Sequence, residues 1–287
     1  MLRMFAGWTS RDVLILAVAL AVLPLLPDAP VDPWQVLNLR KLWLLTVLVM
    51  VIGAAGQMAQ QLFGARTGLL LAGFAGGFAS SSATIAGLGA RARQQPALAP
   101  ACAGGGVLSN VSTVVQLGIV VGVLSPSLLA QLLPALCLAG AVIGVFAVLA
   151  AQASRVQMSA QATPVEASPN AALAPRRALL FMLIVATVLL MSAWIQAWLG
   201  DAALDATLAL SGLADVHAAA ASAAQLVASG RIAVEGALPG VVLAFAANSL
   251  VKLGLAWASG GRRYMLRLLP GITAMVLTFA LALWLLR

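Results

Sequence analysis

Apolar residues run along this chain in blocks close to membrane-spanning length, parted by short polar, Pro- or Gly-containing stretches. Nine blocks are readable: 12–26, 41–63, 67–90, 97–124, 127–153, 178–199, 206–229, 236–258 and 264–286. Each predicts a helix. The first block is short, follows Arg3 and Arg11, and is closed by Pro24 and Pro27. It resembles the start of a signal peptide, but PDAPVDPW follows it and offers no small-x-small cleavage site, so a retained helix is expected. Trp34, Trp43, Trp198, Trp257 and Trp284 fall near block ends, where amphipathic rings favour the membrane–water interface. One real linker interrupts the series, SRVQMSAQATPVEASPNAALAPRR at 154–177. The expected organisation is an N-terminal helix and connector (1–40), a first membrane half (41–153), the linker, and a second half (178–287).

Composition strengthens this reading. The 287 residues include only 16 Lys and Arg and eight Asp and Glu, 8% charged, against 62% hydrophobic and a mean hydropathy of +1.04. An average soluble domain carries about 25% charged residues. So few charges cannot cover a soluble surface, which excludes ordinary soluble enzymes, disordered tails and secreted disulfide scaffolds. The expected fold is all-α and integral to the membrane. The net charge of +8 does not point to nucleic acid, because the basic residues lie at block ends, as the positive-inside bias requires. Cys102 and Cys137 lie in apolar stretches without CxxC spacing and read as small buried residues. With one histidine, His217, a His/Cys zinc cluster cannot form within the chain. No nucleophile elbow, P-loop, dinucleotide fingerprint or HExxH motif occurs, so neither an enzyme nor a bound cofactor is expected. The sequence leaves a metal undecided.

The two halves resemble each other. AGFAGGFASSSATIAGLGARA from Ala72 and SGLADVHAAAASAAQLVASGR from Ser211 share a glycine, a run of small residues and a basic end. VLSNVSTVVQLGIV matches AFAANSLVKLGLAW, which sets Asn110 against Asn248 and, with one gap, Arg93 against Arg231. Two four-helix repeats after an added first helix are therefore expected, with a site at the repeat interface, as in transporters of this build.

The candidate chemistry lies in residues unsuited to lipid. Lys252 is near the middle of the eighth block, where an unpaired charge costs about 3 kcal/mol or more. It either snorkels towards Trp257 or pairs with Asp215, the one carboxylate well inside a block. Asn248, four residues earlier, shares its helical face. Asp215 and His217 are two apart and meet only if the helix is broken, which Gly212 permits. In the first half Ser80, Ser81, Ser82 and Thr84 follow Gly76-Gly77. They predict either a discontinuous helix with freed backbone groups or close helix packing. Ser109, Ser112, Thr113 and Gln116 keep i, i+3, i+4, i+7 spacing and form one polar stripe beside Asn110. Gly104-Gly105-Gly106 reads as a close helix contact.

Five stretches together resemble a known family: VLPLLPDAPVDPWQVLNLRKLW, GARTGLLLAGFAGGFASSSATIAGLGARARQQP, SNVSTVVQL, LSGLADVHAAAASAAQLVASG and ANSLVKLGLAW. They are similar to the membrane module called domain of unknown function 4010, which commonly follows an MgtC/SapB-type domain in one polypeptide. The resemblance implies a multi-pass protein of a bacterial inner membrane and assigns no activity. The association with MgtC/SapB-type domains hints at magnesium homeostasis. No such domain precedes the first helix here, so a stand-alone form or half of a split pair is expected. The family often carries an acidic residue where His217 stands, which weighs against a hard-cation site needing two carboxylates. The leading expectation is a transporter or permease for a small ion or solute, lined by Asp215, His217, Lys252, Asn248, Asn110, Thr113, Ser80, Ser81, Ser82 and Thr84. The alternative is a structural or regulatory subunit partnering an MgtC/SapB-type protein, or a homo-oligomer, embedded in the bilayer.

Overall fold

The structure, a computed structural model, describes residues 10–34, 36–63, 68–155, 175–199 and 202–285. Its elements are α1 (Ser10–Val22), α2 (Leu39–Phe63), α3 (Gly68–Gln94), α4 (Ala99–Leu124), α5 (Pro126–Arg155), α6 (Pro175–Leu199), α7 (Ala202–Ala214), α8 (Val216–Ala228) and α9 (Val234–Leu285). Among the described residues there is no strand beyond an isolated bridge between Pro30 and Asn38. Four helical stretches there are long and apolar enough to cross a membrane: Leu69–Gln94, Pro96–Leu124, Pro126–Ala150 and Val234–Leu285. The protein is an all-helical membrane protein. The expected linker lies outside the described residues from 156 to 174.

One expectation needs correction: the seventh block is not one helix but divides at Asp215 into α7 and α8. The eighth and ninth blocks are, as expected, two helices, the two arms of α9, which meet at a kink at Gly261, whose φ of 79° and ψ of 177° lie in a region open essentially to glycine alone. The interruption in α3 is at Ser80, which adopts extended backbone (φ −175°, ψ 108°).

The chain forms two compact units, each drawing on both halves of the sequence. The first comprises Met1–Val51, Leu117–Leu133 and Ala171–Asn248. Its connector is held by Asp32, which accepts from the backbone N–H groups of Trp34, Val36 and Leu37. Asn38 caps α2 by accepting from Lys41 N at 3.0 Å, and Trp43 Nε1 donates to Ala19 O at 2.7 Å, tying α1 to α2. α8 lies at the centre of this unit. Every residue from Val216 to Leu226 except His217 is buried, as an almost uniformly apolar helix requires.

The second unit comprises Ile52–Gln116, Pro134–Asn170 and Ser249–Arg287. Its spine is α3 against α4. A Cβ on Gly73 would stand 2.2 Å from Gly105 O, and one on Gly77 would stand 2.6 Å from Ser109 O. Both helices therefore carry small residues four apart at the crossing, which lets their backbones approach closely. Gly104 abuts Leu70 and Ala150, and Gly106 abuts Tyr264, so the glycine run packs helices as expected. Tyr264 is fully buried and donates to Ile85 O at 3.1 Å.

The α3–α4 crossing recurs within the first unit. There Gly240 abuts Leu208, and Gly212 abuts the backbone of Ala244. The counterparts 73/208, 77/212, 105/240 and 109/244 keep a constant offset of 135 (212 minus 77, 244 minus 109). The helix breaks at 80 and 215 and the helix starts at 99 and 234 keep the same offset. The register therefore differs by three residues from the sequence match. It sets Thr113, not Asn110, against Asn248, and Ser80 against Asp215.

Candidate functional site

Each break leaves backbone groups that a continuous helix would satisfy, and in lipid these cost several kcal/mol apiece. In α3 the neighbouring helix supplies the partners. Ser112 Oγ donates to Phe74 O at 2.6 Å, and Gln116 Nε2 donates to Phe78 O at 2.8 Å. Ser80 Oγ caps the second arm by accepting from Ala83 N at 3.2 Å. Of these two bonds, that from Gln116 falls on a carbonyl freed by the break, whereas that from Ser112 ties the two helices a turn earlier.

Deeper in the same unit is a buried polar cluster. Lys252 Nζ donates to Asn110 Oδ1 at 3.1 Å and to Thr113 Oγ1 at 2.8 Å. Thr113 Oγ1 in turn donates to Ser81 Oγ at 3.0 Å, linking the ammonium to the break in α3. Asn110 Nδ2 is turned back on the carbonyls of Gly106 and Val107, which points its oxygen at the lysine. Lys252 is 1% exposed and is the one charged side chain in the buried core among the described residues. It does not snorkel. Ser82 and Thr84 are half-buried on the same arm and join no bond of this cluster.

Asp215 serves its own helix as a cap. It is the N-cap of α8, in extended backbone, and its Oδ1 accepts from His217 N at 2.6 Å and Ala218 N at 3.2 Å. The same oxygen meets His217 Nδ1 at 3.0 Å. The break thus brings together two side chains that an intact helix would hold apart. Capping by a short polar side chain is worth about 1 kcal/mol, and a carboxylate adds favourable interaction with the helix N-terminus. Asn248 is buried at 6% exposure, one turn before Lys252.

Three polar atoms of the first unit are buried without a hydrogen-bond partner: Ser211 Oγ, His217 Nε2 and Gln225 Nε2. Sequence reading passed over Ser211 and Gln225. Their signal was a polar side chain inside a run of Ala and Leu, diluted by the harmless small residues around it. Tyr264 was likewise missed, though it is the chain's one tyrosine. Among the described residues no group of three or more His, Cys, Asp or Glu is placed to hold a metal ion.

The fold and these sites define a class: a helical membrane protein with capped helix breaks and a buried lysine bonded to Asn110 and Thr113. More particularly, the chain belongs to the family described as domain of unknown function (DUF4010), whose model matches residues 47–260. No curated protein and no solved structure matches the chain.

Proposed function

We propose that this protein is a transporter or permease for a small polar solute or ion in a bacterial inner membrane. It is built from an N-terminal helix and two four-helix repeats, α2–α5 and α6–α9, at the offset of 135. The carrying observation is the pair of helix breaks at Ser80 and Asp215, in matched positions and each beside buried polar groups. Interrupted helices are costly in a bilayer and are retained where they line a cavity or bind a substrate. A merely structural bundle needs neither break.

The cluster at Lys252 favours an anionic or neutral solute over a hard cation. An ammonium bound to Asn110 and Thr113 repels a metal ion, and Mg²⁺ wants several oxygen ligands including carboxylates. The reading as a regulatory subunit loses part of its support, because Gly73, Gly77 and Gly105 are spent on packing inside the chain.

The test is flux in reconstituted vesicles over a panel of chloride, inorganic phosphate, bicarbonate and Mg²⁺. Wild type is expected to move at least one anion of the panel, and Lys252→Met to slow it at least tenfold. No flux from wild type, together with stoichiometric capture of a second membrane protein in mild detergent, overturns the reading in favour of a subunit.

A further inference from the structure

The two breaks are built alike but capped differently. At the first, Ser80 caps α3 and Ser82 follows two residues later. At the second, in the same register, Asp215 caps α8 and His217 follows two residues later. Capping needs only a hydroxyl oxygen, as Ser80 demonstrates. A carboxylate and an imidazole are more than the cap requires, and both are expensive inside an apolar segment.

The geometry fixes how the pair handles a proton. Asp215 Oδ1 accepts two backbone N–H groups and lies 3.0 Å from His217 Nδ1. An ionised carboxylate only accepts, so Nδ1 carries the hydrogen in the neutral imidazole and Nε2 presents its lone pair. Nε2 is buried and has no hydrogen-bond partner. Ser211 Oγ, one turn before the break, is in the same condition, on a residue 7% exposed. Ser211 O accepts from Asp215 N at 2.9 Å, so this hydroxyl belongs to the turn that ends α7. Native proteins leave few buried polar atoms unsatisfied, and those at a break in a membrane helix mark a place where something binds.

We infer that Asp215 and His217 form a proton-binding dyad, with His217 Nε2 as the atom that takes the proton, and that the proton is the coupling ion of transport. The inference rests on the transport reading above. In the step, the Nε2 lone pair bonds one proton from a hydronium ion, whose O–H bond breaks to leave water. The Nδ1–H bond to Asp215 stays in place, and no other bond forms or breaks. The dyad passes from a net charge of −1 to zero. A neutral pair crosses an apolar barrier far more cheaply than an anion, so protonation permits a change of access that the unprotonated pair resists.

Among the described residues of the helices packed against α8, few other charges occur. α8 packs on α6 and α7. α6 carries no ionisable side chain over 178–199, and α7 carries Asp205 alone, against Gly240 and ten residues from the cap. Residues 117–133 carry none. α9 up to Asn248 carries only Glu235, which is exposed, and Arg231 before it donates to Trp34 O.

Because His217 is the chain's one histidine, ¹⁵N-histidine-labelled protein in lipid vesicles reports a single imidazole. The expected spectrum shows hydrogen on Nδ1 with Nε2 bare in the neutral form. A second proton is expected at Nε2 on acidification. Hydrogen on Nε2 in the neutral form, or no second proton, overturns the dyad. This arm needs only wild type, so a variant that fails to fold does not disable the test.

The second arm uses vesicles loaded with a pH-sensitive dye and given whichever panel member wild type transports. Asp215→Ser restores the cap that Ser80 provides while removing the carboxylate, and His217→Gln removes the proton-binding nitrogen. Each is expected to cut solute-dependent proton movement at least tenfold, Asp215→Ser with its thermal stability kept. Solute flux that proceeds in wild type without proton movement, and equally in both variants, overturns the proton inference and leaves the transport reading standing. If wild type moves no panel member while its imidazole titrates as expected, the transport reading fails, and the coupling role fails with it.

Discussion

Lys252 is buried and donates to Asn110 Oδ1 and Thr113 Oγ1, and its burial bears on what its loss should do. Replacing a buried charge with an apolar side chain of similar length is often neutral or stabilising, because the desolvation cost goes with it. Lys252→Met is therefore expected to keep its thermal midpoint within a few degrees of wild type, followed by unfolding in detergent, while losing flux. A fall in both would make the lysine structural. The residue itself was legible in the sequence, since an ammonium in the middle of an apolar block has few excuses. Its partners were not. Asn110 and Thr113 lie some 140 residues away in sequence, and only the folded chain brings them to the ammonium. Asp215 could be recognised as a cap only by granting that its helix is broken.

Helices were predictable to within a few residues because the apolar blocks end at Pro, Gly or basic residues. Interruptions inside them were harder to see, since a break needs both a capping side chain and a neighbour to satisfy the freed carbonyls. Gln116 does this for α3 at Phe78 from another helix. Glycines separate two effects that share one residue type. At Gly77 a new Cβ meets the backbone of Ser109, whereas at Gly87 nothing lies within 4 Å. Gly77→Ala should destabilise by about 1–3 kcal/mol through overpacking. Gly87→Ala, on an exposed helix face, should be neutral or stabilising by up to about 1 kcal/mol. Thermal unfolding of the two variants side by side measures the difference. At Gly261 the obstacle is conformational: its φ of 79° predicts a loss of about 1–3 kcal/mol for Gly261→Ala even though no atom crowds the site.

At the scale of the whole molecule, the sequence disclosed the resemblance of the halves but misjudged its register by three residues. A composition of Ala, Leu and Gly lets one segment slide along another with little loss of match, so side-chain identity alone fixes the alignment poorly. Backbone contact at Gly77 and Gly212 fixes it well. Each compact unit takes material from both sides of the linker. Residues 1–165 and 166–287 expressed apart should therefore be unstable, whereas together they should co-purify through an affinity tag on either one. Recovery of a stable, monodisperse half by itself would show that the units do not depend on this exchange.

That exchange of segments also bears on how the protein is made. The first unit waits for residues up to Asn248 and the second for the arm carrying Tyr264. As the chain emerges from the ribosome, α3 and α4 enter the bilayer with their GxxxG-like crossing available but their lysine not yet synthesised. Until α9 arrives, the polar cluster at Asn110 and Thr113 stands without the ammonium that completes it. Biogenesis is therefore a late and nearly simultaneous closure of both units. A chain cut between Asn248 and Tyr264 lacks the arm that completes the second unit and is left unfinished in the bilayer, a natural substrate for membrane quality-control proteases.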